Sequence, residues 1–266
     1  MEILVCVKQV PDDSQKVVLN GSGQPAIDKI TPVANAFDTY ALEMAARFKE
    51  ANGGTITVVS VGSEDNKTSL KNCLAVGADK AYVVTDAAFD GSDALSTAYI
   101  LSKTVEKIEA VDNVKFDIIF CGKESTDYTT ALVGPELAQK LGAGVVTCVT
   151  ELKLNADKLE AKQETEDGYN IIETSMPAVV TITKPNYDPR YPTMKSKMAA
   201  RKKEIPAFTA ADLGTDASMV GAANSVVKTI SLSEPPKKQA GIKINEKTFE
   251  ETFAKAMAVM TEAKIF

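Results

Sequence analysis

Apolar and polar positions follow two rhythms over the first 150 or so residues. Continuous apolar, β-branched runs occur at ILVCVK (3–8), TITVVSVG (55–62), KAYVVT (80–85), FDIIFCG (116–122) and AGVVTCV (143–149). Runs that are apolar on both faces predict strands of a buried parallel sheet. Between them the spacing changes to three and four residues. Phe37, Ala41, Met44, Ala45 and Phe48 share one face of NAFDTYALEMAARFKEANGG, and Gly53-Gly54 supplies the stop. Leu70, Cys73 and Leu74 precede Gly77 in a second helical pattern, with Ser63 as its predicted N-cap. Leu95, Ala98, Leu101, Val105 and Ile108 form a third stripe. Strand alternating with helix predicts an α/β fold with a doubly wound, mostly parallel sheet of the Rossmann-like, nucleotide-binding kind.

After Glu151 the pattern changes. KLEAKQETEDGYNIIETSM reads as two alternating strands around Asp167-Gly168, and PAVVTIT (177–183) as a further strand that closes the sheet. KPNYDPRYPTMKSKMAARKKEI (184–205) is punctuated by proline and then strongly basic, which predicts a surface loop running into a short helix. SEPPKKQAG is a linker to a last amphipathic helix near 246–263, with Phe249, Phe253, Met257 and Met260 on one stripe. The expected division is an α/β domain over 1–205 and a C-terminal arm and helix over 206–266, the helix packing on a partner subunit.

Composition narrows the chemistry. A net charge of −6 over 266 residues leaves no excess of cations for nucleic acid. No apolar run approaches the ~18 residues of a membrane span, and MEILVCVKQV reads as a first strand rather than a signal peptide. Cysteines at 6, 73, 121 and 148 lie mostly inside apolar segments, the pattern of reduced thiols in a cytoplasmic protein. There is no histidine, which removes Ser-His-Asp and Cys-His nucleophilic sites and histidine-ligated zinc. No metal site and no catalytic side chain are expected, so any reactive atoms belong to a bound cofactor.

Ligands of such sheets sit at the C-terminal ends of strands, where helix N-termini attract anions. Three loops qualify: KQVPD (8–12), the start of the 35–51 helix with Ser60 to Ser63, and GKESTDYTTALVGP (122–135). Pro135 is tolerated only in a helix's first turn, which places that helix start near Gly134-Pro135. The preceding residues then form a loop rich in hydroxyls and free amides, and Gly134 admits close approach of a ligand. The loop is either a capped surface turn or a cradle for phosphate. Asn35 and Asp38 have a similar double reading. Asn35 caps the helix with Phe37 in the core, or amide and carboxylate together address an adenine edge. Cys6 and Val61 are core, or the floor beneath a flat ring.

The series VCVKQVPD, NAFDTYALEMA, VVSVG, LAVGADKAYVV, FCGKESTDYTTALVGPELAQKLG, MPAVVTI, PRYPTMKSKMAARKKEI and PPKKQAGIKI, in that order, resembles the small (beta) subunit of electron-transfer flavoproteins. The resemblance implies a heterodimer with a large (alpha) subunit whose FAD passes electrons to an acyl-CoA dehydrogenase. In one branch the small subunit holds AMP structurally. In the other it holds a second FAD, which takes hydride from NADH and splits the electron pair between the large-subunit flavin and ferredoxin or flavodoxin. GKESTDYTTALVGP is similar to this second, bifurcating branch.

Carried over by position, the resemblance implies nucleotide contacts at Cys6, at Asn35, Ala36, Phe37 and Asp38, and at Val61. It also implies them along Gly122, Lys123, Glu124, Ser125, Thr126, Asp127, Tyr128, Thr129, Thr130, Ala131, Leu132, Val133 and Gly134. The hydroxyls of Ser125, Thr126, Thr129 and Thr130 and the amides of Leu132, Val133 and Gly134 would address the phosphates, while Asp127 orients the loop. The family's recognition loop matches Arg190, Tyr191, Met194, Lys195, Lys197, Met198 and Lys202. Here Met194 stands where leucine is common.

Overall fold

A computed structural model describes residues 1–236 and 240–265. The first half of the chain forms β1 (Glu2–Cys6), β2 (Gln9–Pro11), β3 (Pro32–Ala34), α1 (Ala36–Asn52), β4 (Thr55–Val61), α2 (Asn66–Val76), β5 (Lys80–Val84), α3 (Ala94–Asp112), β6 (Ile118–Gly122) and α4 (Val133–Leu141). The second half adds β7 (Gly144–Asn155), β8 (Lys158–Thr165), β9 (Gly168–Ser175), β10 (Ala178–Ile182), α5 (Met194–Lys202), β11 (Ala207–Phe208), α6 (Ala210–Leu213) and α7 (Phe249–Glu262).

Nine strands form one sheet in the order β11-β5-β4-β1-β6-β10-β7-β8-β9, and β2 pairs with β3 separately. Every pair from β11 to β7 is parallel, while β8 and β9 are antiparallel. The doubly wound α/β reading is borne out. Alternate residues of each strand serve opposite layers. Ile3, Val5 and Phe120 pack with Leu42, Phe48 and Leu70 of α1 and α2. Leu4, Ile119 and Cys121 pack with Leu101, Ile108 and Leu137 of α3 and α4. Each such burial contributes about 1.5–3 kcal/mol before entropy is charged against it.

The winding has one reversal. From β1 the chain builds outward through β4 to β5, then returns to the other side of β1 for β6. Ile3, Leu4 and Val5 pair in register with Ile118, Ile119 and Phe120. The crevice beyond the ends of β1 and β6 is thus the topological switch point, where ligands of open α/β sheets bind.

Several local expectations change. Ser63 does not cap α2. The helix begins after Asp65, and the Asn66 side chain instead folds back to donate to Ser60 Oγ at 2.8 Å. β10 does not close the sheet; it lies inside, between β6 and β7, because all five of its residues are buried and an edge would expose one side. β7 outruns its apolar segment, pairing with β10 in its first half and with β8 in its second. The sheet also takes a strand from beyond position 205, since β11 pairs with β5 and Phe208 stacks on Tyr82 with ring centroids 5.2 Å apart. Part of the SEPPKKQAG linker, residues 237–239, lies outside the described residues. No helix among the described residues is long and apolar enough to cross a membrane.

Candidate nucleotide site at the switch point

Glycine at the end of β6 lets α1 close over it. A Cβ on Gly122 would lie 2.3 Å from Asp38 Oδ1 and 2.8 Å from Phe37 Cβ. In that contact Asp38 ties two strand ends together. Its Oδ2 accepts from the Lys8 N–H at 2.7 Å and its Oδ1 from the Gly122 N–H at 3.1 Å. Burial pushes this carboxyl up to about 7, against the hydrogen bonds that favour its ionised form.

Asn35 precedes α1 but makes no side-chain cap. Its amide instead clamps the loop after β6, donating to Glu124 O at 2.8 Å and accepting from the Thr126 N–H at 3.1 Å. Phe37 is only half-buried, because it packs against Gly122 at the crevice rather than in the core. Ala36 is exposed, and Val61 is half-buried at the end of β4. Cys6 lies beside Cys121. The hydrogen bond that the Cys6 S–H makes to that neighbouring thiol, and burial, push Cys6 well above its ordinary range, so it is not a nucleophile.

The loop itself is open. Lys123 extends the β6–β10 pairing through its N–H to Ile182 O. Beyond it Tyr128 is 73% exposed and Leu132 47% exposed. Thr129 and Ala131 both occupy the left-handed region, with φ of 53° and 56°, a conformation costing about 1–2 kcal/mol for each non-glycine residue. Asp127 turns toward Lys8 Nζ, 2.7 Å away, and so orients the loop. The hydroxyls of Thr126, Thr129 and Thr130, and the N–H groups of Leu132, Val133 and Gly134, have no partner among the described residues.

Pro135 falls in the first turn of α4, where its missing N–H is not needed. Gly134 has a packing use as well. A Cβ there would lie 2.5 Å from Thr181 Cγ2, so the glycine lets α4 pack against β10 and brings the helix N-terminus to the crevice. These donors suit a diphosphate: several unpaired N–H and O–H groups at a helix N-terminus.

A family model, the electron transfer flavoprotein domain, matches residues 28–213. The chain is 38% identical to the electron transfer flavoprotein beta subunit of Megasphaera elsdenii, over 91% of this chain and 90% of that one. It is 32% identical to CarD, a subunit of the caffeyl-CoA reductase-Etf complex of Acetobacterium woodii, over the whole of both chains. It is 33% identical to FixA of Azotobacter vinelandii, over 90% of this chain and 87% of that one. This chain belongs to the electron-transfer flavoprotein beta-subunit family. Membership gives it a role in electron transfer, a bound nucleotide cofactor and an alpha-type partner subunit.

The segment from 190 to 202 divides into an inward and an outward part. Arg190 faces inward, with Nε 2.8 Å from Glu43 Oε2 and Nη1 2.5 Å from Glu50 Oε1. Burial pushes the Glu43 carboxyl up, but Arg190 and Arg47 outweigh it and hold the group below its usual range. Tyr191, Met194 and Met198 face outward, 92%, 74% and 60% exposed, and Lys195, Lys197 and Lys202 are exposed around them. Thr193 caps α5 by accepting from the Ser196 N–H.

Sequence reasoning missed two groups at the site. The Lys8 ammonium had no visible partner, since nothing in the sequence links positions 8 and 127. Thr181 reads as ordinary strand, and only the register of β10 beside β6 brings it to Gly134.

Proposed function

We propose that this chain binds FAD at the β1–β6 crevice and works in a heterodimer that oxidises NADH and divides its electrons. FAD bound there supplies hydride acceptance and release of electrons one at a time, toward the large-subunit FAD and an acyl-CoA dehydrogenase, and toward ferredoxin or flavodoxin. The observation that carries the reading is the row of unpaired donors at Leu132, Val133 and Gly134 on the N-terminus of α4, beside the switch point. Ser125, Thr126, Thr129 and Thr130 add hydroxyls along the diphosphate, and Cys6 and Val61 lie beneath the ring. Asn35 and Asp38 fix the loops, and no side chain moves a proton. The full-length match to a subunit of a caffeyl-CoA reductase complex supports the reductive setting.

Two surfaces meet the partners. Met194 and Met198 within exposed lysines fit an acidic dehydrogenase surface carrying an apolar pocket. The arm beyond about residue 225, with Phe249 and Phe253 78% and 55% exposed, fits the alpha-type subunit. The test is nucleotide released by acid from the co-purified pair, followed by NADH titration. Two FAD per heterodimer, both bleached by NADH, is the expected result. One FAD and one AMP, with no NADH bleaching, would assign the chain a structural nucleotide instead.

A further inference from the structure

Lys8 stands out because its three polar groups each hold a different piece of the crevice. Its N–H donates to Asp38 Oδ2 at 2.7 Å, and its carbonyl accepts from the Asn35 N–H at 2.9 Å. Its ammonium reaches across to the loop after β6, lying 2.7 Å and 2.8 Å from the Asp127 carboxylate oxygens and 3.5 Å from Ser125 Oγ. The Tyr128 ring centroid is 4.7 Å from the same Nζ. One residue at the end of β1 thereby fixes the start of α1 through its backbone and the nucleotide loop through its side chain.

The two attachments differ in strength. The backbone bonds lie in the buried contact with Asp38. The ion pair is wetter, with side-chain exposures of 42% and 23%. Such a pair contributes little to global stability and weakens with salt. It nevertheless spans residues far apart in the chain and ends on a loop with two left-handed residues, so its effect is local to that loop.

We propose that Lys8 is a positioning residue for nucleotide binding, a latch that closes the 125–130 loop through Asp127 and Ser125 without belonging to the fold's stability core. The inference rests on the proposed nucleotide site. With the latch closed, the hydroxyls of Thr126, Thr129 and Thr130 stay aimed at the crevice. With it open, the loop samples other conformations and the nucleotide leaves sooner.

The test uses the assembled heterodimer and measures dissociation of the small-subunit nucleotide for wild type, Lys8→Met, Lys8→Arg, Asp127→Asn and the Lys8→Met/Asp127→Asn pair. Lys8→Met and Asp127→Asn should each release nucleotide about fivefold faster, with melting temperatures near that of wild type. The double variant should be no faster than either single one, since both open the same latch. Lys8→Arg should restore slow release, and high salt should speed release from wild type but not from Lys8→Met. Unchanged release from Lys8→Met, or additive effects of the two substitutions, would overturn the latch. Wild-type heterodimer with no nucleotide on the small subunit would overturn the underlying site as well, which separates the two failures.

Discussion

Replacing Asp38 with asparagine tests the balance of forces beneath the crevice. The carboxyl is buried, and burial raises its folded value to about 7 from an ordinary 3.8. A carboxyl raised on folding keeps its proton longer in the folded state than in the unfolded one. Its contribution is therefore fully present at low pH and is lost as pH rises toward the folded value. Between about pH 5 and pH 8 the loss is roughly 2.7 kcal/mol, two pH units below the folded value at 1.36 kcal/mol each. Asparagine does not titrate, but its one acceptor oxygen serves only one of the Lys8 and Gly122 N–H groups, which the carboxylate takes on separate oxygens, so the variant carries a cost that is constant with pH. Urea denaturation of the wild-type and Asp38→Asn heterodimers should then favour wild type most below about pH 4, with about 1.6 kcal/mol of that advantage already lost by pH 5. At higher pH wild type should lose stability relative to the variant. A difference that is flat with pH would refute the reasoning. One of opposite slope would show that the two N–H bonds outweigh burial and keep the group ionised.

Gly134→Ala should destabilise by about 1–3 kcal/mol through its collision with Thr181 Cγ2, 2.5 Å away. Adding Thr181→Ser removes that methyl while keeping the hydroxyl that accepts from the Cys148 N–H, so the double variant should recover much of the loss in thermal melts. Arg190→Leu should cost about 1.5–3 kcal/mol at neutral pH by removing charged hydrogen bonds from Glu43, whose side chain is 2% exposed. Because Arg190 helps hold the Glu43 carboxyl low, the wild-type advantage is present above the ordinary carboxylate range and should fade as pH falls through the folded value.

The sheet was legible because its strands are apolar on both faces and its helices are not. The runs at 3–8, 55–62, 80–85 and 116–122 became β1, β4, β5 and β6 with nearly those bounds. The hairpin was marked by Asp167-Gly168, and α4 by Pro135. What failed is what depends on contacts between distant positions. The apolar run of β10 shows that it is buried, but not that it slides between β6 and β7. Asn35 looks like a cap because its neighbours are helical, yet its amide is taken by Glu124 and Thr126, some 90 residues away. The close contact of Gly134 with Thr181 leaves no mark in the sequence either. Lys8 opens one of the three loops that the sequence marks, but nothing local ties its ammonium to Asp127.

Amide hydrogen exchange on the assembled heterodimer, with its nucleotide bound and after its removal, tests the crevice most directly. The account predicts that the bound nucleotide slows exchange most at Leu132, Val133 and Gly134, and across 125–131, with α7 unaffected. Equal exchange at those amides in both states, with protection at another edge of the sheet, would contradict it.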